Sequence, residues 1–190
     1  MILVRTAALA ASFGSPVVLL RQPHAGAAAA RNLGCAHAGG DLVAWLDADD
    51  VWDVDALRVL WEAAVEAGAD GAYGALVHFS EPDVAERRHV PGAPVTAPAS
   101  GTLLVARPAL SAVGGFDTSL GLGEVIDWVA RAGEHGLALA QVGQVVLRRR
   151  VHDRNTSLLR RDDRGDYAKL LRARLVRQRA AAGAAATASA

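Results

Sequence analysis

Cysteine and long apolar runs are scarce in this 190-residue chain, and each scarcity excludes a class of protein. The one cysteine, Cys35, excludes an internal disulfide and fits a reducing compartment. No apolar run reaches the roughly 18 residues that a membrane-spanning helix requires. The N-terminus is too short and too interrupted for a secretory signal peptide. We therefore expect a cytoplasmic protein, with peripheral contact to the inner membrane face as the alternative.

An excess of charge of either sign is also absent. Lys plus Arg and Asp plus Glu each total 20, so the net charge at pH 7 is zero. This balance gives no general argument for nucleic acid or an anionic membrane as a partner, and we predict no nucleic-acid binding. Lysine occurs only at Lys169, so arginine supplies nearly all of the positive charge. Arginine suits phosphate, but a biased base composition of the gene explains this preference more simply.

Strand and helix patterns alternate along the chain, which is long enough for one domain with its own core. Helices are predicted at 5–13, 26–38, 54–67, 124–135 and 166–182, a short helix from Pro108, and strands at 17–20, 42–46, 71–79, 102–105 and 137–147. Prolines interrupt residues 80–101, which we interpret as a surface loop or an irregular edge hairpin. The alternation predicts an α/β domain with a mostly parallel central sheet flanked by helices. We place this domain at residues 1–160, followed by a C-terminal helical segment at 161–182 and a disordered tail at 183–190.

The most informative stretch is residues 42–50, where five apolar residues lead into the carboxylates of Asp47, Asp49 and Asp50. An apolar run bounded by acids predicts a strand that is buried on both faces. Like charges at its end repel one another, and a divalent cation relieves that repulsion because hard cations bind carboxylate oxygens. Ligands of open α/β sheets bind at the carboxyl ends of the strands, so a metal site is predicted there. The alternative is that Asp50 or Asp53 only caps the next helix.

Two enzyme families place a D-x-D pattern at the end of a strand. In the haloacid-dehalogenase-like phosphatases the first aspartate is a nucleophile, and in the GT-A glycosyltransferases the motif holds a metal. The phosphatases normally begin with the acidic strand and use a downstream lysine. Here a strand and a helix come first, and Lys169 falls in a peripheral helix. The phosphatase is therefore the weaker alternative.

The surrounding residues resemble the family 2 glycosyltransferases, which have the GT-A fold. Residues 26–34 follow that family's G-x-x-x-A-R-N-x-G pattern, and residues 46–50 follow its L-D-x-D-D pattern. Residues 113–117 contain its G-G-F-D turn, and residues 150–157 follow its R-x-H-x-x-N-x-S pattern. Residues 124–131 resemble its acidic helix start, so the matches occur in the family's order across most of the chain.

This resemblance implies a Rossmann-like GT-A domain that binds a nucleotide-diphosphate sugar. The implied reaction transfers the sugar, with inversion, to an acceptor hydroxyl on a glycan, a lipid or a small molecule. The implied cofactor is Mn²⁺ or Mg²⁺. A catalytically impaired binding protein with the same fold is the alternative.

The resemblance also assigns residues to the metal and the diphosphate. Asp49 is the best direct metal ligand, Asp50 is a further ligand, and Asp47 faces the ribose or the metal. His152 completes the metal or diphosphate site, and Arg150 binds phosphate. The alternative for the last two residues is a solvated basic loop.

Arg31 and Asn32 belong to a region that faces the nucleotide in the family, although a surface arginine near a helix end is the alternative. Glu124, Asp127 and Arg131 are spaced to share one helix face. An inverting transferase needs a carboxylate to accept the proton of the acceptor hydroxyl. The family places that aspartate directly after the glutamate, where this chain has valine, so Asp127 or Glu124 would have to serve. The alternative for Asp127 is an ion pair with Arg131.

Family members usually begin with a strand, a P-x-Y-N turn and a second strand that ends in D-D-G-S. Here residues 1–4 lead directly into residues 5–9, which resemble the helix after D-D-G-S. We therefore expect an N-terminally incomplete domain. The explanations are a misplaced start codon, a truncated or degenerate gene, or a partner chain or second copy that completes the sheet.

Overall fold

The computed structural model describes residues 2–87, 90–153, 155, 165, 168, 171–177 and 179. Its helices are α1 (Ile2–Ser12), α2 (Gly26–His37), α3 (Ala56–Ala67), α4 (Pro82–Arg87), α5 (Arg107–Val113) and α6 (Glu124–Glu134). Its strands are β1 (Leu42–Ala44), β2 (Val51–Trp52), β3 (Gly71–Phe79), β4 (Val95–Thr96), β5 (Leu103–Ala106) and β6 (Leu139–Arg150), with a 3-10 turn at Ser100–Thr102. Residues 171–177 are also helical, and the predicted tail at 183–190 lies outside the described residues.

The strands form one mixed sheet in the order β1-β5-β3-β6-β2, and β4 pairs with β3. The predicted α/β class is confirmed, but the mostly parallel sheet is wrong for the described strands, because only β3 and β6 pair in parallel. After β3 the chain reverses through α4 and returns as β4, and it then continues through the 3-10 turn into β5. Both returning strands therefore run against β3. A parallel return would have required a crossover to the other end of the sheet.

Helices cover both faces of this sheet and enclose two apolar clusters. One cluster joins α2, α5 and α6 to the sheet around Trp45, Phe116 and Trp128. The rings of Trp45 and Phe116 meet edge to face with centroids 5.3 Å apart. The other cluster joins α3 to β3, β5 and β6 around Leu60 and Leu147. In the part of the chain that the structure describes, no helix is long and apolar enough to cross a membrane.

Two strand predictions need correction. Residues 17–20 form no strand, and Val18 is 74% exposed, because a β-branched apolar segment makes a strand only where a partner supplies the ladder hydrogen bonds.

The acidic strand is buried on one face rather than two. Val43 and Trp45 are buried, whereas Leu42 and Leu46 are 41% and 44% exposed. Alternate side chains of a strand point to opposite faces of the sheet. One of these faces is exposed at β1 because α3 packs on β3, β5 and β6 and leaves the outer end of the sheet uncovered.

Asn32 joins α2 to the turn that precedes α6. Its Nδ2 donates to the carbonyl oxygen of Phe116 at 2.9 Å, and its Oδ1 accepts from the amide of Phe116 at 2.8 Å. Both ends of the Asn32 amide are therefore bound to backbone, and its contact with the nucleotide stays a prediction. The turn passes close to this amide, and a Cβ added at Gly115 would lie 2.7 Å from Asn32 Oδ1.

We expect Gly115→Ala to destabilise the protein. The added methyl group must displace the Asn32 amide and break its two hydrogen bonds, which costs about 1–2 kcal/mol or about 2–8 °C in Tm. Thermal unfolding measures the change. Gly133→Ala is the control, because Gly133 lies in α6 with open space around its Cβ position, and alanine favours helix there. Equal Tm values for the two variants would contradict the role of Asn32.

Candidate functional site

A cavity of about 190 Å³ lies where α2, the acidic loop after β1, the 3-10 turn, the start of α6 and the end of β6 meet. Its lining combines charged and polar side chains with small and apolar ones. The charged and polar members are Arg31, Asp47, Asp50, Ser100, Glu124 and Arg149. Residues from distant segments of the chain therefore meet beside the end of the acidic strand.

Arg31 is the central side chain of this cavity. Its guanidinium donates to Asp47 Oδ1 at 2.8 Å, to Ser100 Oγ at 3.1 Å and to Glu124 Oε1. Its side chain is only 10% exposed. Burial lowers the pKa of Arg31, but the charges and hydrogen bonds of Asp47 and Glu124 outweigh that effect and raise it above the ordinary value. Arg31 thus stays charged and holds two acids together, and its contact with the nucleotide stays a prediction.

The metal ligands expected from the sequence are divided among different partners. Asp47 is bound by Arg31 and accepts from Ser100 Oγ at 3.2 Å, while Asp49 Oδ2 lies 2.8 Å from His152 Nε2. Asp50 Oδ1 accepts from the backbone amide of Arg150 at 3.0 Å. Within the described residues, no three His, Cys, Asp or Glu side chains are grouped to hold a metal ion.

Asp49 and His152 nevertheless fit a metal as a pair of ligands. A carboxylate oxygen and an imidazole nitrogen are both common donors to divalent cations. The two side chains are 40% and 31% exposed, so they are accessible to an ion. At the neighbouring Asp50, burial, followed by the charges of Asp49 and Asp47, raises the pKa to about 6. The backbone amide of Arg150 and the charge of Arg149 oppose that shift.

Asp127 does not line the cavity. It is 2% exposed, its Oδ2 accepts from Arg131 Nε at 2.7 Å, and its Oδ1 accepts from Arg177 at 3.3 Å. The structure therefore contains the ion pair with Arg131 that was the alternative interpretation. Both oxygens of this buried carboxylate are bound to arginines, and of the two candidate bases only Glu124 lines the cavity.

Arg150, predicted to bind phosphate, contacts other parts of the protein, and its binding of phosphate stays a prediction. Its Nη1 donates to Glu81 at 2.8 Å, and its guanidinium lies 5.0 Å from the ring centroid of Phe79. Of the three neighbouring arginines on β6, Arg149 is the one that lines the cavity. Strand alternation was the signal that sequence reasoning missed, because residue 149 shares a face with the cavity residue Leu147. Ser100 had no such signal, since it lies in the proline-interrupted segment.

We expect Asp50→Asn to stabilise the metal-free protein at about pH 7.5 but not at about pH 4. Because the folded-state pKa of about 6 exceeds the ordinary 3.8, the folded protein binds this proton more tightly than the unfolded chain. Stability from this group is therefore lost as the pH rises through about 6. The neutral amide avoids that loss and keeps the hydrogen bond from Arg150.

The expected gain at about pH 7.5 is about 1 kcal/mol after allowance for partial exposure, or about 2–4 °C in Tm. Thermal unfolding with a chelator measures it, and Asp41→Asn, which changes an exposed acid before β1, is the control. A gain that is the same at both pH values would contradict the shifted pKa.

A family model with the description "Glycosyl transferase family 2" matches residues 4–106, which is more than half of the chain. Among curated proteins, none matches this chain in sequence.

Solved structures of S. aureus TarS resemble the fold. One has a TM-score of 0.53 and 16% identity, with 83% of this chain and 28% of that chain covered. TarS 1-349 in complex with UDP-GlcNAc has a TM-score of 0.58 and 14% identity, with 80% of this chain and 48% of that chain covered. At these identities the likeness shows the fold alone, and this chain spans less than half the length of either TarS chain.

Proposed function

Because the chain belongs to glycosyl transferase family 2, we propose that it transfers a sugar from a nucleotide-diphosphate sugar to an acceptor hydroxyl. The observation that carries this proposal is the cavity in which Arg31 joins Asp47, from the acidic loop, to Glu124, from the start of α6. The TarS complex with UDP-GlcNAc supports a nucleotide sugar as the donor. Membership of this family sets the phosphatase alternative aside.

In the proposed reaction Glu124 is the base. Its carboxylate lines the cavity, and Arg31 fixes its position by the hydrogen bond to Oε1. A carboxylate within reach of the acceptor hydroxyl accepts its proton while the oxygen attacks the sugar carbon. One such displacement inverts the configuration at that carbon. Asp47, held by Arg31 and Ser100, faces the same space and is available to the donor.

We further propose that Asp49 and His152 hold Mn²⁺ or Mg²⁺, with Asp50 next to them. The contact of 2.8 Å between Asp49 and His152, and the three carboxylates that lie together in the loop, support this assignment. When bound, the ion offsets the negative charge that develops on the departing nucleotide.

If this metal site is correct, Asp49→Asn weakens binding of UDP in the presence of Mn²⁺ by about tenfold or more, because one charged ligand is lost. Calorimetric titration of the purified chain with UDP, with and without Mn²⁺, measures the effect. Asp41→Asn removes a carboxylate of the same type outside the site and should bind as the wild type does. UDP binding that does not depend on Mn²⁺, or that is unchanged in Asp49→Asn, would contradict the metal proposal.

The role of Glu124 leads to a separate prediction. Glu124→Gln should lower the transfer rate by about 100-fold or more, since a positioned base contributes that much, while UDP binding is retained. Transfer is measured as release of the nucleoside diphosphate from a panel of nucleotide sugars and acceptors. Asp127→Asn should instead lower Tm, because Arg131 and Arg177 lose a buried charged partner. A full transfer rate in Glu124→Gln would exclude Glu124 as the base.

A catalytically impaired binding protein is the second candidate. The observation that favours it is Val125, which occupies the position of the family's usual aspartate and is buried at 6% exposure. Nucleotide binding without turnover by any donor and acceptor would support this candidate.

The acceptor, the location and the assembly are also proposals. The acceptor is a hydroxyl compound of undetermined class, and a cytoplasmic location fits the single cysteine. Completion of the sheet by a partner chain or a second copy stays a prediction. Among the described strands β1 pairs only with β5, and unpaired edges accept further strands.

A further inference from the structure

Arg149 differs from its two arginine neighbours on β6. Arg148 is 59% exposed and lies 3.8 Å from Asp53, and Arg150 is bound to Glu81 and the acidic loop. Arg149 alone of the three lines the cavity, because alternation along a strand turns it to the face opposite its neighbours. This face also carries Leu147, which lines the same cavity.

The positive charge of Arg149 is available, whereas that of Arg31 is not. Arg31 is neutralised by two carboxylates, Asp47 and Glu124. The backbone of Arg149 belongs to the ladder with β3, but its side chain forms no hydrogen bond or ion pair in the described part of the chain, although its charge affects the pKa of Asp50 and of His78. A half-buried guanidinium without a bound partner can still donate to a ligand.

We propose that Arg149 binds a phosphoryl group of the nucleotide-diphosphate donor, an inference that rests on the proposed function. A guanidinium presents a planar pair of donors that matches two phosphoryl oxygens. The cavity of about 190 Å³ into which Arg149 faces is open to solvent and large enough for a phosphoryl group. Arg149 replaces Arg150 as the phosphate-binding arginine at this end of β6.

The test compares Arg149→Gln with Arg148→Gln, which removes the same charge from the opposite face of the same strand. Inorganic pyrophosphate and UDP are titrated into each full-length variant with Mn²⁺ present, and uridine serves as a ligand without phosphate. We expect Arg149→Gln to weaken binding of pyrophosphate and UDP about tenfold, because a charge-assisted hydrogen bond is lost. Binding of uridine should be unchanged. Arg149→Lys, which keeps the charge but not the planar fork, should fall between. Arg148→Gln should match the wild type.

If Arg149→Gln binds both anions as tightly as the wild type does, the inference is overturned. If that variant also has a lowered Tm, the role of Arg149 is only to stabilise the fold by its charge beside Asp50. Equal weakening by Arg148→Gln would also overturn it, since the effect would then be one of general charge. If Arg149→Gln does not fold, the Arg149→Lys comparison decides, and unchanged affinity overturns the inference. Wild-type protein that binds pyrophosphate through Arg149 but not UDP would contradict the proposed function alone. Wild-type protein that binds neither anion overturns both.

Discussion

The ion pairs of Arg31 with Asp47 and Glu124 are the interaction on which the site depends. They join α2, the loop after β1 and the start of α6. A guanidinium that is only 10% exposed must be paired, because an uncompensated buried charge is costly. The same requirement that stabilises the fold therefore fixes the distance between the acidic loop and α6. Ser100 completes the arrangement by bonding to both Arg31 and Asp47.

The turn between α5 and α6 is the second constraint, and side chains from α2 and α6 bind its backbone. Asn32 binds both polar atoms of the Phe116 peptide groups, Arg131 donates to the carbonyl oxygens of residues 113 and 115, and Trp128 Nε1 donates to the carbonyl oxygen of Gly114 at 2.9 Å. Each of these side chains is anchored by a helix. The turn consequently has little freedom, and α6 begins where Glu124 reaches Arg31.

The C-terminal R-x-H residues have a similar structural role. Arg150 donates through its backbone amide to Asp50 and through Nε to the carbonyl oxygen of Asp49 at 3.3 Å, and His152 contacts the side chain of Asp49. The end of β6 thus holds the acidic loop in place before any ligand binds. This explains why three neighbouring carboxylates coexist, although burial and mutual repulsion still raise the pKa of Asp50 to about 6. Relief of that remaining repulsion is what a cation at the loop would supply.

The sequence by itself determined the elements and the chemistry, because periodicity, caps and motifs are local properties. The helices at α2, α3 and α6, the strand at β3, the acidic strand end and the family all follow from neighbouring residues. Only the tertiary structure decided the mixed direction of the sheet, the unpaired residues 17–20 and the one-sided burial of β1. It also decided that Glu124 rather than Asp127, and Arg149 rather than Arg150, faces the cavity. The physical reason is that a charged side chain takes its role from the partner it meets, and those partners lie far away in the chain.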